Sequence, residues 1–176
     1  MEVTIEESGM TFGPFSEELF FYVEKSNIYN KLQNGLPIAE FLLIQPDKNS
    51  LLVVEAKSSS PNPSNRESQL QFDEFIKEIS RKLLNAFTLG LTLCLGRHVD
   101  NIDELSNSFQ EIDYASVTII FLLVINGHKE EWLPPLNEAL QRELKDASKI
   151  WPLKVITINE KVAQKYNLIQ SMVSAM

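Results

Sequence analysis

The sequence predicts an α/β protein: a mixed β-sheet with a central antiparallel hairpin, flanked by helices. Three observations carry that expectation. Residues 38–45 (IAEFLLIQ) and 51–57 (LLVVEAK) are apolar runs separated by the turn-forming PDKNS. Residues 69–88 place Leu70, Phe72, Phe75, Ile76, Ile79, Leu83, Leu84 and Phe87 at helical spacing. Residues 117–125 (VTIIFLLVI) form a continuous apolar run closed by Asn126-Gly127, the pattern of a strand covered on both faces.

Along the chain, the first third admits two readings. FSEELFFYVEKSNIYNKL is one helix from Ser16, or a strand LFFYVEK followed by a short helix from Ser26. The hairpin of residues 38–57 follows. The serine- and proline-rich SSSPNPSN (58–65) then reads as a loop ending at a helix N-cap, Ser64 or Asn65. The amphipathic helix runs from 69 to at least 88 and can continue toward Gly96. Residues 99–114 are polar and acidic, a loop or a short helix. After the apolar strand, PPLNEALQRELKDA opens with prolines suited to a helix start and continues as a helix to about residue 147. LKVITIN (153–159) is a further strand, and a short helix follows from Glu160.

Composition bounds the function classes. At 176 residues the chain is expected to form a single domain, 1–176. It has no apolar run long enough for a membrane span, and its acidic start lacks a signal-peptide core. Cys94 is the only cysteine, so no intrachain disulfide or cysteine zinc site can form, and a reducing, cytoplasmic setting is expected. His98 and His128 lack zinc-ligand spacing, and neither a phosphate-binding glycine loop nor a nucleophile elbow is present. Trp132 and Trp151 flank proline segments and read as packing residues rather than base-stacking platforms. The net charge of −8 opposes broad nonspecific binding to nucleic acid. The charge is uneven, however. Residues 1–55 hold nine acids and three lysines, whereas 57–98 hold six basic residues and four acids. Lys77, Arg81 and Lys82 in that second region are either a landing surface or the solvated outer face of the helix.

The hairpin carries the chemistry. Glu55 and Lys57 are two apart on one strand and share a face. Glu40 precedes the turn by nearly the same number of residues as Glu55 follows it, which sets the two carboxylates close to level across the ladder. Level neighbours on one face have Cβ atoms roughly 5 Å apart, a separation at which two carboxylates can hold Mg²⁺ (or Mn²⁺). The backbone carbonyl of Ala56 would complete the shell, and Lys57 would orient a water or offset charge at a phosphoryl centre.

Glu40…Glu55-Ala56-Lys57 on a hairpin, followed by an amphipathic helix, resembles the PD-(D/E)xK nuclease superfamily. VEAKSS (54–59) is similar to the form in Holliday-junction-resolvase-like and restriction-endonuclease-like members. The resemblance covers residues 20–90 best. It implies a restriction-endonuclease-like fold, Mg²⁺-dependent phosphodiester cleavage, DNA as the expected substrate, and Glu40, Glu55 and Lys57 as the catalytic core. It also implies a carboxylate from an N-terminal element, for which Glu24 fits best, with Glu17 or Glu18 as alternatives. A helix glutamine completes the set, Gln71 ahead of Gln69. Two departures stand out. Pro46-Asp47, the literal "PD", sits in the turn, and Glu40 occupies a place where the family more often has Asp. A homodimer, or a protein partner supplying basic surface, would offset the acidity. The competing class is a non-catalytic scaffold or regulatory subunit of a larger complex, defence-related by the family's habits.

Overall fold

The computed structural model describes residues 1–32, 34–62 and 66–170. It is an α/β structure with a five-stranded mixed sheet and a separate two-stranded antiparallel sheet. The smaller sheet comes first: β1 (Glu2–Glu7) and β2 (Met10–Ser16) pair around Ser8-Gly9. Ser8 and Gly9 have φ of 52° and 74°, the paired positive values of a two-residue hairpin turn. This hairpin was not anticipated, although Val3 and Ile5 alternate with polar residues toward that turn.

The ambiguous first third resolves closer to the strand reading. Ser16 leads only into a single 3₁₀ turn, Glu17–Leu19. Strand β3 is just Phe20–Phe21, a second 3₁₀ turn covers Val23–Lys25, and α1 spans Asn27–Leu32. Phe20 and Phe21 are buried in opposite apolar layers, as successive strand residues must be. A continuous helix would have placed them on neighbouring parts of one face.

The hairpin is β4 (Phe41–Gln45) and β5 (Ser50–Lys57), antiparallel with Phe41 opposite Val54 and Gln45 opposite Ser50. Its first strand starts three residues later than expected. The turn is a short 3₁₀ segment, Pro46–Lys48, closed by Asn49 in the left-handed region. Helix α2 (Gln69–Cys94) buries Phe72, Ile76, Ile79, Leu83, Phe87 and Leu93, whereas Leu70 is 77% exposed and lies off that face. It thus extends past 88, ending before Gly96, whose φ is +67°. The N-cap expected at Ser64 or Asn65 lies outside the described residues; Ser68 occupies the N-cap position of α2. The acidic segment holds a 3₁₀ stretch, Val99–Glu104, and the short α3 (Asn107–Gln110).

Strand β6 (Thr118–Ile125) lies between β5 and β7 (Lys154–Asn159), parallel to both, and is covered on both faces as its composition requires. The helix expected to reach residue 147 breaks at Leu144 into α4 (Leu133–Glu143) and α5 (Lys145–Ile150). Helix α6 (Glu160–Lys165) follows β7, its N-cap Asn159 accepting from the Val162 amide at 3.0 Å.

Two apolar layers fill the molecule. One joins the inner faces of α2 and α4 to Leu51, Val53, Phe121 and Leu123 of the sheet. The other joins the β1–β2 hairpin and Ala163 of α6 to Phe41, Leu52, Val54 and Val124. Phe12 and Phe20 pack on Phe41 at ring separations of 5.3 and 5.1 Å, which seats the hairpin beside the start of β4. Each buried phenylalanine contributes about 2–3 kcal/mol through lost contact with water. At the far edge of the sheet, α4 covers the backbone of β7: Gln141 donates to the Val155 carbonyl at 3.1 Å, and Asn137 accepts from the Thr157 amide at 2.9 Å. Among the described residues, no helix is long and apolar enough to cross a membrane.

Candidate functional site

The site forms where β4 begins and β5 ends. The paired register runs from Phe41 opposite Val54, so Glu40 stands one residue before it, on the line of Glu55. Its amide donates to the Val54 carbonyl at 3.0 Å, and its own carbonyl accepts from the Glu24 amide at 3.2 Å. The expected levelness of the two carboxylates therefore holds along the chain. Glu55 shares its face with Leu51 and Val53, both packed in the α2 layer. It is fully buried, and Glu40 is 5% exposed.

Two ammonium groups meet Glu55. Lys57 Nζ lies 3.2 Å from its Oε1, and Lys82 Nζ, from α2, lies 2.9 Å from the same oxygen. Lys57 also reaches Glu78 Oε1 at 3.5 Å. Lys82 is thus not part of a solvated outer face; its side chain is 16% exposed and turned onto the sheet. Lys77 and Arg81 do face solvent. The sequence holds a signal for the difference: Lys82 falls three residues after Ile79 and one before Leu83, within the helix's buried stripe.

Glu24, on the 3₁₀ turn after β3, joins Glu40. So does a residue that the sequence did not single out, Glu7 at the end of β1. One carboxylate oxygen from each of Glu7, Glu24 and Glu40 lies within 4.8 Å of the other two. The Tyr22 hydroxyl donates to Glu7 Oε1, fixing that side chain. Glu7 could be found only by recognising the N-terminal hairpin, which brings its end back onto the aromatic cluster.

Burial dominates the electrostatics. The Glu40 carboxyl is pushed up to about 9, first by loss of water, then by the charge of Glu55, then by a hydrogen bond with Glu24 and the charges of Glu24 and Glu7. Glu55 is also raised by burial, against the opposing pull of Lys82 and Lys57. Burial pulls Lys82 down, but the charge and hydrogen bond of Glu55 outweigh it, so its ammonium is held more tightly than usual. Burial and the bond to Glu7 raise the Tyr22 hydroxyl. Glu40 Oε2 and Glu55 Oε2 are buried oxygens with no hydrogen-bond partner.

The remaining expected groups divide. The Val54 carbonyl faces β4 and the Lys57 carbonyl faces β6, where it accepts from the Asn126 amide at 2.8 Å. By strand alternation the Ala56 carbonyl faces the β4 side, past the first pair of that strand. Gln71 is exposed on the first turn of α2 and makes no hydrogen bond to these carboxylates. It points to solvent because the buried stripe passes through Phe72 and Ile76 instead. Gln69 donates to Asp73 at 2.9 Å. Glu17 pairs with the chain's amino terminus at 3.7 Å, away from the cluster. Pro46 and Asp47 lie in the turn, at the opposite end of the hairpin.

The arrangement is a cluster of acids around the buried Glu40, which keeps its proton at neutral pH, with two lysines on the Glu55 flank. Such a group can exchange protons for a cation. The donor set suits a hard divalent ion: carboxylate oxygens, two of them buried without partners. No protein-family model matches the chain, and no curated protein or solved structure matches it at a significant level.

Proposed function

We propose that this chain is a metal-dependent nuclease of the PD-(D/E)xK type, with a restriction-endonuclease-like fold and DNA as its substrate. The observation that carries this reading is the pair of partnerless buried oxygens, on Glu40 and Glu55, beside Lys57 at one end of the hairpin. Glu40 and Glu55 would hold Mg²⁺ or Mn²⁺, with Glu24 and the Ala56 carbonyl at hand. The bound ion would supply Lewis acidity and make a water acidic enough to be a nucleophile at neutral pH.

The chain's own residues then have distinct tasks. Lys57, 26% exposed, is the lysine that reaches solvent more freely, so it meets the phosphate and offsets the charge that builds there. Glu55 and Glu78 hold its ammonium in place. Lys82 is a positioning residue: it fixes one oxygen of Glu55 and leaves the other free. Glu40 would give up its proton to hold a cation, and Glu24, 31% exposed, would give that proton a route to solvent.

A second reading is favoured by one observation. Glu55 is sealed from solvent and already paired with two lysines, as in a structural ion-pair latch of a non-catalytic scaffold. One assay separates the two. Plasmid, single-stranded DNA and RNA are incubated with Mg²⁺ or Mn²⁺ and either the wild type or Lys57→Ala. The nuclease reading expects cleavage that falls at least about a hundredfold in the variant. Equal cleavage by both proteins would assign the activity to a contaminant and leave the scaffold reading.

A further inference from the structure

A cavity of about 360 Å³ opens at the carboxyl ends of β5 and β6. That size falls at the lower end of small-molecule sites, about 300–1,000 Å³. Its wall begins at Ser58, the residue after Lys57, and continues through Ser60, Asn126, His128, Glu131 and Trp132. The lining offers hydroxyl, amide and imidazole groups and one carboxylate; among the described residues it contains no lysine or arginine. The Lys129 ammonium stands outside the lining, its Nζ 5.0 Å from the centre of the Trp132 ring. Apart from the Glu131 carboxylate the lining groups are uncharged, which suits a neutral, planar, hydrogen-bonding group.

Trp132 was expected to pack, but it is 46% exposed on this wall. Trp151, by contrast, packs edge-on against Phe87 at 5.0 Å. The His128 ring meets Trp132 at 5.3 Å, and its Nε2 lies 3.5 Å from the Ser60 hydroxyl. The His128 backbone carbonyl is held by Asn159 at 2.9 Å. Burial lowers the pKa of His128, which keeps its ring neutral and able both to donate and to accept.

We propose that the cavity bounded by Ser58, Ser60, His128 and Trp132 binds a nucleobase. The inference rests on the nuclease reading for its source, a nucleotide of the cleaved strand. An aromatic wall with neutral donors and acceptors is how unpaired bases are held. The cavity opens at the same end of β5 as Lys57 and begins with the residue that follows it. The favoured substrate therefore has an unpaired or extruded base beside the scissile bond.

The test reads the two tryptophan indole N–H resonances of ¹⁵N-labelled protein, assigned with Trp132→Phe, during titration with each of the four common deoxynucleosides. No divalent cation is added, so nothing is cleaved. At least one nucleoside should shift the Trp132 signal saturably and leave Trp151 unmoved. Ser60→Phe, which fills the cavity, should weaken that binding at least tenfold while the Trp151 signal reports an intact fold. Inorganic phosphate should produce no shift. A trinucleotide that binds more tightly than the free nucleoside supports a base held within a strand; the reverse order overturns the strand as its source. No Trp132 shift with any nucleoside, or a shift that Ser60→Phe leaves unchanged, overturns the proposal. The same wild-type protein is then assayed for DNA cleavage with Mg²⁺ or Mn²⁺. Nucleoside binding by wild type that cleaves nothing overturns the nuclease reading alone, and cleavage by wild type without nucleoside binding overturns this inference alone.

Discussion

Lys82 Nζ lies 2.9 Å from Glu55 Oε1, closer than Lys57, the lysine two residues along the same strand, at 3.2 Å. The buried carboxylate of the hairpin is therefore tied first to the helix and second to its own strand. Lys82→Met should cost about 3 kcal/mol of stability in urea unfolding, because it removes one partner of a fully buried acid. The double variant Lys82→Met/Glu55→Gln should recover a large part of that loss. A cost below about 1 kcal/mol for the single change would show that Lys57 alone satisfies Glu55.

Glu40 makes the stability of the metal-free protein depend on pH. Its carboxyl is raised to about 9 in the folded chain, from an ordinary value of 4.5. Between those values the folded state keeps a proton that the unfolded state has lost. Stability therefore falls as pH rises from about 5 to about 9, by at most about 1.4 kcal/mol per pH unit. Glu40→Gln should flatten that fall and melt above the wild type at pH 8.5. Melting curves for the two proteins that run parallel from pH 5 to 9 would contradict the assignment.

Much of this was legible in the sequence, for reasons that differ between elements. The hairpin, α2 and β6 follow from period and composition, because each buries a regular stripe. Glu40, Glu55 and Lys57 follow from counting residues about the turn. Glu7 and Lys82 did not, since each depends on a packing that no local pattern states: a short hairpin folded back over Phe41, and the rotation of a helix on the sheet. The placement of Gln71 was not legible for the same reason, as a one-residue difference in helix phase separates the buried Phe72 from this solvated neighbour.

The hairpin that delivers Glu7 depends on Gly13. Its φ is +99°, and an added Cβ would sit 2.6 Å from the Val3 carbonyl oxygen, which is backbone and cannot move aside. Gly13→Ala should destabilise the protein by about 1–3 kcal/mol. Gly35, with φ +81° and nothing within 4 Å, is the control that isolates conformational strain from the clash. Gly35→Ala should therefore cost less, about 1 kcal/mol. Equal losses from the two substitutions, measured by thermal unfolding, would mean that the close approach to Val3 contributes nothing.

Crystals soaked in Mn²⁺ at pH 8, with diffraction collected at the manganese edge, probe the carboxylate cluster itself. One anomalous peak is expected within about 2.5 Å of an oxygen of Glu40 and one of Glu55 or Glu24, and it should be lost in Glu40→Ala. Saturating Mn²⁺ that leaves these carboxylates without a peak, with the hydrogen bond between Glu24 and Glu40 intact, would contradict a metal-dependent centre at the end of the hairpin.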